Sequence, residues 1–535
     1  MDTHAKRFGI GSIALLLAMS PAPRARAGDQ VRTESGVVEG EAVSGSGVRA
    51  FKGIPFAAPP VGDLRWREPR PVAPWEGVRS AREFGPRPMQ ARIFSDMVFR
   101  DKGPSEDCLY LNVWTPAASA SERLPVMVWI FGGGFQAGAA SEPRQDGKDL
   151  ARKGVVVVSM NYRLGVFGFF SHPGLSAESG HGSGNYGIMD QVAALRWVQG
   201  NIAAFGGDPS NVTIFGESAG SYSVSIQMAT PLARGLFHKA IGESGSVIGT
   251  RRHPSHVEEL ARAEQTGADF ASSLGAKTIA ELRARPADEI LKASMDDKAL
   301  HSDVVIDGYV LPKDMASIYA AGEQSHVPLL AGWNADESRV YHVFGDKRPT
   351  AESFSKDVRS EHGDLAGDIL RLYPAGSDAE AVRSAGDLAG DMFIITSTWK
   401  WIEAHLATGG APVYRYEFDR AVPVAYGTMI NGSVATAADV GAVHASEISY
   451  VFGALGAMRE VSWEPADLRL SDAMGTYWTN FAKTGDPSGR GLPEWPRYDA
   501  AGRQVMHLGA ELRASPETHR DRMEFWDGGP AAPRP

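Results

Sequence analysis

Two hydrophobic patterns recur along the chain. Leu124-Pro-Val-Met-Val-Trp-Ile130 and Gly154-Val-Val-Val-Val-Ser159 are apolar runs without alternation, the mark of strands buried on both faces in a mostly parallel sheet. Residues 190–202 instead space Val192, Leu195, Val198 and Ile202 three or four apart, a helical stripe. The turn Gly206-Gly-Asp-Pro209 and the strand Asn211-Val-Thr-Ile-Phe215 follow. Strand, helix, strand in that order predicts an α/β fold with right-handed crossovers. Residues 327–332 and 412–418 read as later strands, while 255–297 and 351–405 read mainly as helices that interrupt the sheet pattern. No repeat of about 20–50 residues, Ser/Gly linker or charge block marks a boundary, so residues 28–535 read as one large domain with helical insertions.

A different pattern opens the chain. Lys6 and Arg7 precede an apolar run from Phe8 to Met19, and Ala25-Arg26-Ala27 follows with the small-x-small spacing that a signal peptidase accepts. A run of roughly a dozen residues is too short for a bilayer, which takes about 20. Residues 1–27 therefore read as a signal peptide, Gly28 as the first mature residue, and the expected location is periplasmic or secreted. Lys6-Arg7 lacks the second arginine of a twin-arginine signal, so the export route is left open. No other segment is long and apolar enough to span a membrane.

Of the 535 residues 43% are hydrophobic and 22% charged, with Gly 60 and Pro 33, the balance of a folded globular chain. Lys+Arg 54 against Asp+Glu 64 gives a net charge of -10, and loss of residues 1–27, with four cations and one acid, takes it to -13. That argues against nucleic acid or an anionic membrane as the main partner. The single cysteine, Cys108, supports neither an intramolecular disulfide nor a zinc cluster or redox pair.

Gly216-Glu217-Ser218-Ala219-Gly220 fits G-x-S-x-G between a predicted strand and the helical run Ser221-Tyr-Ser-Val-Ser-Ile-Gln-Met228. That is the setting of a nucleophile elbow, a strained turn that needs small residues two positions either side of the serine. A serine hydroxyl is a poor nucleophile near neutral pH, so it requires a base and donors for the oxyanion. After the strand ending at Ile130 comes Phe131-Gly132-Gly133-Gly134-Phe135. The N–H groups of Gly133, Gly134 and Ala219 are the candidate oxyanion hole. No Gly-Lys-Ser/Thr follows, which excludes a P-loop. With 14 histidines and 64 acids, spacing alone leaves the base and the acid open.

Across residues 36–500, Phe51-Lys-Gly-Ile-Pro55, Glu106-Asp-Cys-Leu-Tyr-Leu-Asn-Val113, Asn161-Tyr-Arg-Leu-Gly165, Phe205-Gly-Gly-Asp-Pro209, Phe215-Gly-Glu-Ser-Ala-Gly220, Phe481-Ala-Lys-Thr-Gly-Asp-Pro487 and Trp495-Pro496 stand in order. The chain resembles the type-B carboxylesterases, the cholinesterase-like branch of the α/β-hydrolases. The resemblance implies the α/β-hydrolase fold, a mostly parallel central sheet with helices on both faces and helical insertions. It implies Glu337, in Gly332-Trp-Asn-Ala-Asp-Glu337, as the triad acid. It implies His444, in Gly441-Ala-Val-His444-Ala-Ser-Glu447 before Tyr450-Val-Phe-Gly453, as the base. The order Ser218, Glu337, His444 is the α/β-hydrolase order. By the same resemblance Ser244 supports the acid, and Arg65 with Glu106 forms a structural ion pair. Asp336 points away from its neighbour Glu337, and a local hydrogen bond accounts for Glu217. Phe131 replaces the histidine that many relatives carry before the glycines, which affects packing more than catalysis. The disulfide partner of the Glu-Asp-Cys-Leu cysteine is missing, so Cys108 is expected to be a small buried hydrophobe and the loop it would close to be freer.

These residues imply a carboxylic-ester hydrolase that uses a small-molecule ester and needs no metal or organic cofactor. Ser218 attacks, His444 takes its proton and Glu337 orients the imidazole. A binding or adhesion module would have lost the serine, against the intact Ser218, Glu337 and His444. An amidase or a lipase would share the triad. Phe131, Phe135, Trp333, Tyr341, Phe344 and Phe393 are candidate pocket walls, and xenobiotic, aryl or short-chain esters are candidate substrates. Polyester natural products such as tricarballylate-bearing mycotoxins would call for Arg or Lys at the pocket mouth. Oligomeric state is left open.

Overall fold

The apolar runs form the strands expected of them. Eleven strands make one sheet: β1 (Glu41–Val43), β2 (Val48–Pro55), β3 (Tyr110–Thr115), β4 (Leu124–Ile130), β5 (Val156–Met160), β6 (Gly207–Glu217), β7 (Lys239–Glu243), β8 (Leu329–Asn334), β9 (Val413–Phe418), β10 (Gln504–Leu508) and β11 (Leu512–Pro516). Spatial order follows chain order except that β5 lies between β3 and β4. The six pairings from β5 to β10 are parallel, and those at the two ends are antiparallel. Every residue of β5, β7 and β8 is buried, which is why these strands show no polar alternation. This computed structural model describes residues 29–252, 257–297, 299–300, 303–339, 348–424, 429–430, 433–434 and 436–529. The expected signal peptide, residues 1–27, and the pocket candidates Tyr341 and Phe344 lie outside the described residues.

Helices cover the sheet: α1 (Tyr186–Asn201), α2 (Ala219–Ala229), α3 (Leu260–Ser273), α4 (Ala287–Asp296), α5 (Ala351–His362), α6 (Asp378–Gly390), a π-helical turn at Asp391–Ile395, α7 (Thr396–Thr408) and α8 (Pro465–Thr484). Two neighbours in β7 reveal the layering, because successive strand residues face opposite sides. A Cβ on Gly242 would meet the Trp401 ring of α7 at 2.2 Å. Glu243 Oε1 accepts a 2.7 Å hydrogen bond from Trp478 Nε1 of α8. Helices thus lie on both faces. The insertion between β8 and β9 has a small core of its own, where Phe354, Val358, Ile369 and Leu388 pack with Phe525 and Trp526. Among the described residues no helix is long and apolar enough to cross a membrane.

Buried ion pairs fix the connections. Arg65 Nε and Nη2 each donate to Glu106 at 2.6 Å, as expected. Arg163 grips Asp190 of α1 through its Nε, Nη2 and backbone N–H at 2.8, 2.7 and 3.0 Å, with both side chains buried. Cys108 is free and buried, in line with a small hydrophobe. The segment before it is not the freer loop expected. Arg87 pairs with Asp101 at 2.6 Å, Gln90 exchanges two hydrogen bonds with the Gly138 backbone, and Arg100 pairs with Asp146 at 2.7 Å. Polar contacts hold this segment in place of a covalent link.

Breaking the Arg163–Asp190 pair from one side strands a buried charge. Arg163→Met is expected to cost about 3–5 kcal/mol, read from urea unfolding, and the double change Arg163→Met/Asp190→Leu to recover much of that. Equal losses in the single and double variants would refute the pairing.

Candidate active site

β6 and β7 end level at Glu217 and Glu243, in register with Gly332 of β8, which runs on to Asn334. Ser218 comes directly after β6 and before α2, with φ 56° and ψ -123°, a strained conformation that costs about 1–3 kcal/mol in a non-glycine residue. The small residues of G-x-S-x-G permit it, since a Cβ on Gly220 would lie 2.0 Å from the Ile130 carbonyl oxygen. The elbow therefore occupies the strand, turn and helix setting read from the sequence.

One strand over, Ser244 follows β7 with φ 50° and donates its hydroxyl to Glu337 Oε1 at 2.6 Å. The same oxygen accepts the Asn334 N–H at 2.9 Å. Glu337 Oε2 lies 2.6 Å from His444 Nδ1. Asp336 turns elsewhere, accepting the Ala442 N–H at 2.9 Å and pairing with Arg339. Ser218 and His444 line one cavity, yet no hydrogen bond joins Ser218 Oγ to the imidazole among the described residues. Instead His444 Nε2 is 3.2 Å from Glu217 Oε1. Glu217, expected to need only a local hydrogen bond, is an ionic partner of the histidine. Its side chain runs alongside the glycine loop, where a Cβ on Gly132 would meet Glu217 Oε2 at 2.9 Å.

The glycine loop passes against Ser218. A Cβ on Gly132 would also meet Ser218 Cβ at 2.9 Å, and Gly133 and Gly134 adopt φ 111° and 63°. Both line the cavity. Ala219 is the first residue of α2, so its N–H lies outside the helical ladder. Phe131 stacks on Tyr162 with centroids 4.6 Å apart, and the Tyr162 hydroxyl donates to the Phe131 carbonyl at 2.7 Å. Phe131 is thus part of the packing against Tyr162.

The cavity has a volume of ≈ 610 Å³. Of the candidate walls, Phe135 and Phe393 line it; Phe393, presented by the π-helical turn, meets the His444 ring edge-on at 5.0 Å. Phe131 and Trp333 do not line it. Trp333 belongs to fully buried β8 and lies under the Arg415 guanidinium at 4.0 Å. Sequence reasoning missed Phe94, Met97, Arg144 and Tyr222, which also line the cavity. They come from three separate stretches of chain and share no motif.

Behind the imidazole lies a group of buried acids. Glu447 Oε2 accepts from Asn334 Nδ2 at 2.7 Å. Burial pushes the Glu217, Glu243 and Glu447 carboxyls up from their ordinary values. Tyr416, whose buried hydroxyl has no hydrogen-bond partner among the described residues, is raised by burial and by Glu447 and Glu243. For His444, burial favours the neutral ring, but the Glu217 and Glu337 carboxylates outweigh it and hold the imidazole above its ordinary value.

Residues 27–526 match the model of the Carboxylesterase family. A fumonisin B1 esterase of Sphingopyxis macrogoltabida is 39% identical, over 90% of this chain and 86% of that protein. The medium-chain fatty acyl-CoA hydrolase precursor of Anas platyrhynchos is 36% identical, over 90% and 87%, and carboxylesterase 1F of Mus musculus is 37% identical, over 94% of each chain. Among solved structures, a thermophilic PNB esterase superposes with a TM-score of 0.78 at 34% identity, covering 93% of this chain and 100% of its own. With the α/β-hydrolase sheet and this likeness over nearly its whole length, the chain belongs to the carboxylesterase family and is a carboxylic ester hydrolase.

Proposed function

We propose that the ester is cleaved through an acyl-enzyme on Ser218, with His444 as general base and Glu337 as the acid that orients it. The 2.6 Å contact of Glu337 Oε2 with His444 Nδ1, in a cavity shared with the strained Ser218, carries the reading. Glu337 holds the proton on Nδ1 and leaves Nε2 to accept the serine proton, then stabilises the imidazolium. The N–H groups of Gly133, Gly134 and Ala219 receive the oxyanion. His444 returns its proton to the leaving alcohol, and water activated by the same ring releases the acid. Ser244 is a positioning residue that fixes the second oxygen of Glu337. The open Ser218–His444 contact closes on substrate binding, as catalytic hydrogen bonds that are long in free enzymes do. Phe135, Phe393 and Tyr222 suit an organic ester with apolar parts. Residues 1–27 direct export, which N-terminal sequencing of the exported protein, starting at Gly28, would establish.

Hydrolysis of p-nitrophenyl acetate, butyrate and octanoate tests the mechanism. Ser218→Ala is expected to lose about 10⁴-fold or more in kcat, and an organophosphate label located by mass spectrometry to sit on Ser218. Activity retained in Ser218→Ala, or a label elsewhere, would overturn the assignment.

The carboxylates around His444 set the pH dependence. Because they favour the protonated ring, the base becomes available only as pH rises through the raised pKa, so kcat/KM should climb with pH along a limb above 6.5. Glu217→Gln removes one of those charges and should move the limb to lower pH. A limb at or below 6.5, or one unmoved by Glu217→Gln, would refute the electrostatic account.

A further inference from the structure

Among the described residues one guanidinium reaches the catalytic cavity. Arg144 follows the glycine loop, in the turn Pro143–Gln145, and lines the cavity beside Gln145 and Glu217. Its Nε lies 2.7 Å from Glu142 Oε1, its Nη1 3.4 Å from Asp96 Oδ2, and its Nη2 has no partner among the described residues.

The two acids beside it differ in kind. Glu142 is buried and accepts from Gln145 Nε2 at 2.7 Å, and Gln145 in turn accepts from Trp129 Nε1 at 2.9 Å, so this side anchors the guanidinium to the protein. Burial lifts the Glu142 carboxyl to about 7, so near neutral pH it cancels only part of the arginine's charge. Asp96 is 66% exposed and lies on the segment that brings Phe94 and Met97 to the cavity. An exposed carboxylate at 3.4 Å adds little to stability and is readily exchanged. A guanidinium pairs best with a carboxylate through two parallel N–H bonds, and the Nη1 and Nη2 edge is the part of Arg144 not committed to Glu142.

We propose that Arg144 recognises a carboxylate on the substrate: the cavity takes esters bearing a second, free carboxylate, which displaces Asp96 from Nη1 and pairs with the guanidinium while the ester carbonyl sits at Ser218. This names a substrate class for the esterase site and rests on the reading given above for that site. Apart from His444, which its two carboxylate partners already hold, the other ionisable groups of the wall among the described residues, Asp96, Asp303 and Glu217, are acids, so Arg144 is the group there that suits an anion and excess negative charge is repelled.

Monoethyl adipate and ethyl hexanoate test it, since one has a carboxylate where the other has a methyl group. With kcat/KM measured for both in a pH-stat, Arg144→Gln is expected to lower the adipate-to-hexanoate ratio at least tenfold, mainly through KM. Asp96→Asn, at an exposed position, is expected to raise it about twofold or more. An Arg144→Gln ratio within twofold of wild type overturns the proposal. If Arg144→Gln does not fold, Asp96→Asn decides, and a ratio that stays level or falls is fatal. Wild-type enzyme inactive on both esters would instead overturn the Ser218 reading; activity on ethyl hexanoate with an unmoved ratio overturns the role of Arg144 alone.

Discussion

Parallel pairing holds the ends of β6 and β7 in register with each other and with Gly332 of β8, and each of the first two gives one more hydrogen bond to its neighbour before turning away. The Ser218 N–H donates to the Glu243 carbonyl and the Ser244 N–H to the Gly332 carbonyl, both at 2.9 Å. These bonds pin the two residues whose backbones are left-handed, so the ladder itself supplies what the strain costs. The distance from Ser218 to the Ser244–Glu337 pair follows from the spacing of strands, about 4.8 Å per step, and not from any flexible loop. His444 reaches Glu337 from a segment outside the sheet, and it is held from both ring nitrogens by carboxylates.

That arrangement concentrates negative charge in a dry place. Glu217, Glu243, Glu337 and Glu447 are all buried, and burial pushes the carboxyls of Glu217, Glu243 and Glu447 up from their ordinary values. Asn334, Trp478 and Ser244 each donate to one of them. In the mechanism proposed for His444 the surplus would serve a base that becomes a cation during each turnover, because the field that stabilises imidazolium is built before substrate arrives. It also means that the histidine cannot be understood from its acid partner alone.

The sheet was largely legible in the chain. The apolar runs at 124–130 and 154–159 announce buried parallel strands because β-branched residues with no polar alternation have few other places to go. The elbow was legible for a related reason, since a turn that tight tolerates only small residues at Gly216 and Gly220. Glu337 and His444 were not legible from spacing. Their roles depend on contacts across more than a hundred residues, and only the resemblance pointed to them. The ionic role of Glu217, the polar anchoring of segment 87–101 and the placing of Arg144 in the cavity were illegible for the same reason. Each depends on which distant group lies opposite, and Phe131 and Trp333 show the converse, aromatic residues near the site in sequence that the sheet takes for its own core.

The segment between Arg87 and Asp101 is held by ion pairs and by the amide of Gln90, and the chain has a single thiol, Cys108, sealed in the interior. Maturation therefore requires no oxidant and no isomerase to sort bridges, and a glutathione pool has nothing to reduce. The wall of the cavity formed by that segment is insensitive to the redox poise of its surroundings. The same geometry can be reached in the reducing cytoplasm where the chain is made and in an oxidising space beyond it.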